Sequence, residues 1–155
     1  MNIRDKTTEV LIVGAGIAGV SVAYELAQRN VQVCVVEVED YPGYHATGRS
    51  AATFVNCYGN DIIRRISAAS KPFFDCPPQG FSDHPLLAKR GALYVAGKNQ
   101  TGDLDSFISE PRNARFLNSI GVLEALTKVP ALRRASVSAA AFEKEAMDID
   151  VNALL

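Results

Sequence analysis

Three glycines and one acid carry the first chemistry in this sequence. Gly14, Gly16 and Gly19 stand in the spacing G-x-G-x-x-G, with Ile17 and Ala18 inside it, and Glu37 follows 18 residues beyond Gly19. The first glycine permits a tight exit from an extended segment. The second lets backbone N–H groups approach a pyrophosphate that a side chain would block, and the third lets a helix pack close against a sheet. A helix N-terminus beginning there offers unpaired donors and partial positive charge to phosphates. A carboxylate at Glu37 can accept hydrogen bonds from a ribose and repels a 2′-phosphate, which disfavours NADP. A second group follows at His45-Ala46-Thr47-Gly48-Arg49-Ser50-Ala51-Ala52. Thr47 or Ser50 can cap a helix starting here, which would bring a second helix N-terminus near the first. On spacing alone, Arg49 reads equally well as a solvated surface charge and Thr47 as merely a cap.

Certain elements must hold these residues. The apolar run 10–13, bounded at once by glycine, suits a central strand buried on both faces of a parallel sheet. Residues 17–29 form the next element, a helix whose Val20, Ala23, Tyr24 and Ala27 make one buried face. A second apolar run, 31–36, ends at Glu37, with Cys34 buried in it as a small apolar residue. The fold class predicted is therefore α/β, with a Rossmann-type βαβ unit for gripping a dinucleotide. An ordinary parallel βαβ unit with a glycine-rich turn is the plainer alternative.

Further along, residues 38–47 read as a loop. Residues 60–74 read as a helix buried through Ile62, Ile63, Ile66 and Ala69, and the proline-rich stretch 75–85 as a surface loop. The spacing predicts a strand at 92–96 and a turn at 97–102. Mixed helical pattern runs over 103–126, broken near Pro111 and Gly121. Another short strand is expected at 136–142, and a final helix from 148 capped by Asp148 or Asp150.

Composition excludes several classes. The 155 residues, 48% hydrophobic and 21% charged, describe a globular chain with a real core. A net charge of −1 offers no electrostatic case for nucleic acid or an acidic membrane. No apolar run reaches the ~20 residues that span a bilayer, and the polar N-terminus is no signal peptide. Cys34, Cys57 and Cys76 lack metal-ligand spacing, and His45 and His84 are too scattered for a metal centre. A reducing, cytoplasmic setting is the expectation.

The G-A-G-I-A-G turn, the acid closing the second strand and Y-P-G-Y-H-A-T-G-R-S-A-A resemble the N-terminal part of the FAD-dependent amine oxidoreductases of the D-amino-acid oxidase superfamily, nearest the D-arginine dehydrogenase-like branch. The likeness continues through Tyr58-Gly59, Ala68 to Phe74, His84 to Leu87, Val129 to Arg134 and Asp148 to Leu154. The resemblance implies a GR2-like flavoprotein with FAD as cofactor. Gly14, Gly16, Ile17, Ala18, Gly19 and Glu37 would hold its ADP half. Thr47, Arg49, Ser50, Ala51 and Ala52 would run along the pyrophosphate toward the flavin ring. Tyr58 would line the substrate side, its plainer reading being a partly buried aromatic beside a helix. An NAD-linked Rossmann protein and a catalytically silent binding or assembly module are the competing functions.

The implied reaction is oxidation of an amine or D-amino acid by hydride transfer to flavin N5, giving an imine and then a keto acid. Oxygen or a quinone would accept the electrons. Two departures bear on substrate. Thr53 stands where the D-arginine branch has a histidine, and Ala92 where it has an acid that pairs with a cationic substrate. A guanidinium buried there unpaired would cost several kcal/mol, so arginine is disfavoured. The resemblance also implies domains at 1–86 (FAD-binding, N-terminal part), 87–147 (start of a substrate-covering α+β domain) and 148–155 (start of a return segment). An enzyme of that kind is much longer, so the expectation is an N-terminal fragment, inactive alone, that associates through an unpaired sheet edge.

Overall fold

The computed structural model describes residues 7–155. The chain divides into two compact units, one of residues up to Ala51 together with Asp150–Leu155, the other Ala52–Ile149.

In the first unit, β1 (Val10–Val13) leads through the glycine turn into α1 (Ile17–Ala27), and β2 (Val33–Val36) returns parallel to β1. The register pairs Val10 with Val33 and Ile12 with Val35 on one face, and Leu11 with Cys34 and Val13 with Val36 on the other. Residues of an extended strand alternate between faces, and only one face of this pair is covered. Leu11 is 58% and Val13 82% exposed, and Cys34 is exposed with them. The expected burial on both faces therefore fails, because no second layer among the described residues packs on the Leu11–Val13 side. On α1, Val20, Ala23 and Tyr24 are half-buried against the strands, while Ala27 at the last turn is exposed.

Residues 41–50 form a run of turns and carry no helix. The Gly43 N–H donates to the Ala15 carbonyl (3.0 Å), and the Arg49 N–H to that of His45 (3.1 Å). The Gly48 N–H also reaches back to Gly43, so the amides of Gly48 and Arg49 close short turns instead of starting a ladder. The second helix N-terminus expected at Thr47 or Ser50 is thus absent. In this unit a short closing helix, α5 (Val151–Leu154), is capped by Asp150, whose carboxylate accepts the Ala153 N–H at 2.9 Å.

The second unit holds two antiparallel sheets. One orders β3 (Thr53–Phe54), β8 (Met147–Ile149) and β4 (Leu87–Lys89) with β8 central. The other orders β5 (Ala92–Ala96), β7 (Ala139–Glu143) and β6 (Leu117–Ile120) with β7 central. Small side chains in β7 let α3 (Thr101–Ser109) approach closely, and Ala96, Leu104 and Ala141 form the buried centre with Tyr94 and Phe107 around it. The strand β6 between α3 and α4 (Val122–Lys128) interrupts what reads in sequence as broken helix. Its L-N-S-I has too few residues for a period to show.

The helix α2 (Asp61–Asp75) starts one residue later than expected, with Asn60 as its cap. Its apolar side is not buried: Ile62 is 66% and Ile66 59% exposed, and Ile63 and Ala69 are also exposed. The helix docks instead through its more polar side, where Arg64 reaches Asn113. At the end of β7, Glu143 is fully buried. Its carboxylate accepts the Asn56 N–H (2.6 Å), the Asn56 side-chain amide (3.0 Å) and the Tyr94 hydroxyl (2.9 Å). Burial and this carboxylate push the Cys57 thiol up to about 12, and the Tyr94 phenol is raised as well.

Candidate functional site

The site assembles at the mouth of α1, in the first unit. Gly14 leaves β1 with φ +98°, a conformation side chains rarely adopt, and its N–H donates to Val36 O at 2.7 Å. This pins the turn to β2. One residue on, the Ala15 N–H donates to Glu37 Oε2 at 2.7 Å, while Val38 and Glu39 donate to Oε1 at 2.8 and 3.1 Å. These backbone donors, Ala15 first, hold the Glu37 carboxyl below the usual glutamate range. The acid closing β2 is therefore aimed into the glycine turn, and Oε2, with Ala15 as its one donor, keeps lone-pair capacity for another.

Thr47 arrives from the turn segment, 30 residues away, and its hydroxyl accepts the Ile17 N–H at 3.0 Å. It caps α1, not a helix of its own. A Cβ on Gly16 would meet that hydroxyl at 3.1 Å, so Gly16 keeps the mouth narrow as well as bare. A Cβ on Gly19 would lie 2.0 Å from the Gly14 carbonyl oxygen, which shows how closely helix and turn are packed. After these pairings the amides of Gly16, Ala18 and Gly19 have no protein acceptor among the described residues. They lie at the positive end of α1, whose free N–H groups point out of the helix.

The remaining predicted residues are placed less tightly. Arg49 lies over the Tyr44 ring, 5.3 Å from its centroid, and lines an open cleft of about 470 Å³ with Tyr41, Gly48, Asn152 and Leu155. Ser50 and Ala51 are exposed beside it, the Ser50 N–H donating to Thr47 O at 3.3 Å. Ala52 begins the second unit with φ +41°. Tyr58 belongs to that unit too and is 71% exposed. Thr53 accepts from Arg90 (3.0 Å), which also pairs with Asp148 (2.9 Å), and Ala92 lies opposite Glu143 in the β5–β7 register. Sequence reasoning missed the Thr47–Ile17 contact and the Ala15–Glu37 contact, since both join residues distant in sequence.

The structure contains what a pyrophosphate needs: a side-chain-free mouth, three free amides and an acid beside them. Parallel βαβ geometry with these features defines a dinucleotide-binding unit of the Rossmann type. A family model described as DAO, FAD dependent oxidoreductase, matches residues 9–155, and the chain belongs to that family. FAD is accordingly its family's cofactor.

Over 61 residues the chain is 43% identical to the tRNA 5-methylaminomethyl-2-thiouridine biosynthesis bifunctional protein MnmC of Acidovorax sp. (strain JS42), a match covering 38% of this chain and 10% of that protein. Its fold is similar to L-alpha-glycerophosphate oxidase from Mycoplasma pneumoniae with FAD bound (TM-score 0.76, 20% identity), over 97% of this chain and 41% of that one. It is also similar to iminodiacetate oxidase from Chelativorans sp. BNC1 (TM-score 0.69, 25% identity), over 94% and 42%. The chain thus spans about two-fifths of the length of these solved structures. No helix among the described residues is long and apolar enough to cross a membrane.

Proposed function

We propose that the first unit binds the ADP half of FAD and that the chain supplies this part of an amine or amino-acid oxidoreductase. The observation that carries the reading is the set of free amides at Gly16, Ala18 and Gly19 beside the Glu37 carboxylate. In this reading the amides take the pyrophosphate oxygens and Glu37 takes the ribose hydroxyls. Arg49 adds a positive charge, with Ser50, Ala51 and Ala52 continuing along the cofactor. Bound flavin would supply the capacity to accept a hydride from the substrate Cα at N5, leaving an imine that water hydrolyses.

The protein's part is to hold and orient. Tyr58 offers an exposed aromatic ring and hydroxyl for the substrate side. An amine or amino-acid substrate is supported by the resemblance of the 41–52 segment to amine oxidoreductases, and by an iminodiacetate oxidase among the similar structures. Ala92, set against Glu143 and offering no carboxylate of its own, argues against a guanidinium substrate.

Titrating the chain with FAD while following flavin fluorescence, with ADP as competitor, tests the reading. Saturable quenching reversed by ADP is expected, and weakened quenching in Glu37→Gln. Equal affinity for NAD and FAD, or FAD binding indifferent to ADP, would refute it.

A further inference from the structure

The second unit carries a cluster of guanidinium groups that the cofactor reading does not use. Arg64 and Arg65 come from α2, and Arg112 and Arg115 from the turns between α3 and β6. The four line one open cleft of about 340 Å³, with Asn56 and Ser67 among its other walls. That volume lies in the range of small-molecule sites.

Their charges are not equally compensated. Arg112 is neutralised, pairing with Asp61 at 2.6 Å and Glu110 at 2.7 Å. Arg64 is half-buried and spends its donors on neutral oxygens: Gly59 O (2.9 Å), Asn113 Oδ1 (2.6 Å) and Cys57 O (2.7 Å). Its charge is fixed in place without a carboxylate at ion-pair distance among the described residues. Arg65 and Arg115 are exposed and form no ion pair among those residues, Arg115 lying over the Phe116 ring at 4.5 Å. Four guanidiniums against the Asp61 and Glu110 carboxylates leave a net charge of +2 here, and an anion between the three arginines without an ion pair relieves their mutual repulsion. Two of the three also have free planar forks, which match oxyanions two donors at a time.

We propose that this cleft binds a small multivalent oxyanion, a polyphosphate or polycarboxylate, independently of the FAD site. Arg65 and Arg115 grip it directly, and Arg64 supplies fixed field from the wall. Because Arg64 is already immobilised, its charge costs no ordering on binding.

The test is calorimetry on the full chain with pyrophosphate and with citrate, at ionic strength matched with chloride. It is repeated with the double variant Arg65→Ala/Arg115→Ala. Both side chains are exposed, so the variant keeps its fold, and an unchanged FAD titration checks this. Binding of either anion, reduced at least tenfold in the double variant while the FAD titration stays unchanged, supports the proposal. Pyrophosphate alone assigns the site to phosphates, and both anions assign it to multivalent oxyanions generally. Binding unchanged in the double variant, or no binding beyond chloride, would overturn it. So would a short single-stranded RNA binding the cleft in preference to both anions.

Discussion

Replacing Gly19 by alanine sets two opposed effects against each other in one helix. Alanine in a helix interior is favoured over glycine by about 1 kcal/mol, and Gly19 lies inside α1. Against this, the new Cβ would lie 2.0 Å from the Gly14 carbonyl oxygen, 3.1 Å from its carbon and 3.3 Å from Ile12 Cγ2. Carbon–oxygen contacts close in to about 3.3 Å, so α1 would have to withdraw from the turn by more than ~1 Å. The obstacle is backbone, held by its own hydrogen bond to Val36 and by a positive φ, so it cannot rotate aside. Overpacking of this kind costs about 1–3 kcal/mol, which outweighs the propensity gain. Withdrawal also shifts the free amides relative to Glu37. Gly19→Ala should therefore lower the thermal midpoint seen by circular dichroism and weaken FAD binding at least tenfold. Gly102→Ala is the control: Gly102 lies in α3 with nothing within 4 Å of its would-be Cβ. It should stabilise by up to about 1 kcal/mol and leave FAD binding unchanged. If Gly19→Ala were as stable as the parent and bound FAD equally well, the close-approach argument would be wrong.

Glu37 has a depressed folded-state pKa, so its contribution is present above the unfolded value of about 4.3 and is lost as pH falls through the folded value. A carboxyl titration by NMR should place it below ~4.3, and Glu37→Gln should remove the matching acid-side fall in FAD affinity. Glu143→Gln turns one acceptor oxygen of a buried carboxylate into a donor facing donors from Asn56 or Tyr94. A loss of about 2–4 kcal/mol is expected, read as a midpoint lowered by roughly 5–10 °C. Cys57, buried and held protonated, should resist alkylation at pH 8 while exposed Cys34 and Cys76 react. With the thiol raised to about 12, stability of the folded chain should also fall as pH rises from the unfolded thiol value toward 12.

What was legible in the sequence was local. The glycine spacing, the two strands and the acid after them form one short-range unit, and each residue type answers to a single steric or hydrogen-bonding demand. The cap of α5 at Asp150 and the strand at Ala92–Ala96 were legible for the same reason. What failed depended on neighbours. Hydrophobic periodicity in α2 predicts a buried Ile62–Ile66 side, yet Arg64 and its three carbonyl and amide partners decide which side docks. Thr47 carries a valid capping signal, but the helix it caps lies 30 residues earlier. Cys34 reads as buried because apolar runs in parallel sheets usually have cover on both faces, and here one face has none among the described residues.

The pairing of amides along the turn explains why this site is built from so few side chains. The Gly14 N–H goes to Val36, that of Ala15 to Glu37, that of Ile17 to Thr47 and that of Val20 to Gly16 O. Each of these bonds fixes the backbone at its own residue, and the amides between them, at Gly16, Ala18 and Gly19, are left without acceptors. Donors held in this way need no reorganisation when an anion arrives, which is where preorganised backbone gains over flexible lysine or arginine. Glu37 belongs to both sets, since one carboxylate orders the turn through Ala15 and remains open on the same side. Its removal would therefore loosen the frame and the ligand contact together, whereas removal of the Thr47 hydroxyl would loosen the frame alone. The affinity lost in Glu37→Gln should accordingly exceed that lost in Thr47→Val, and the reverse order would mean that the amides, without the acid, set the nucleotide affinity.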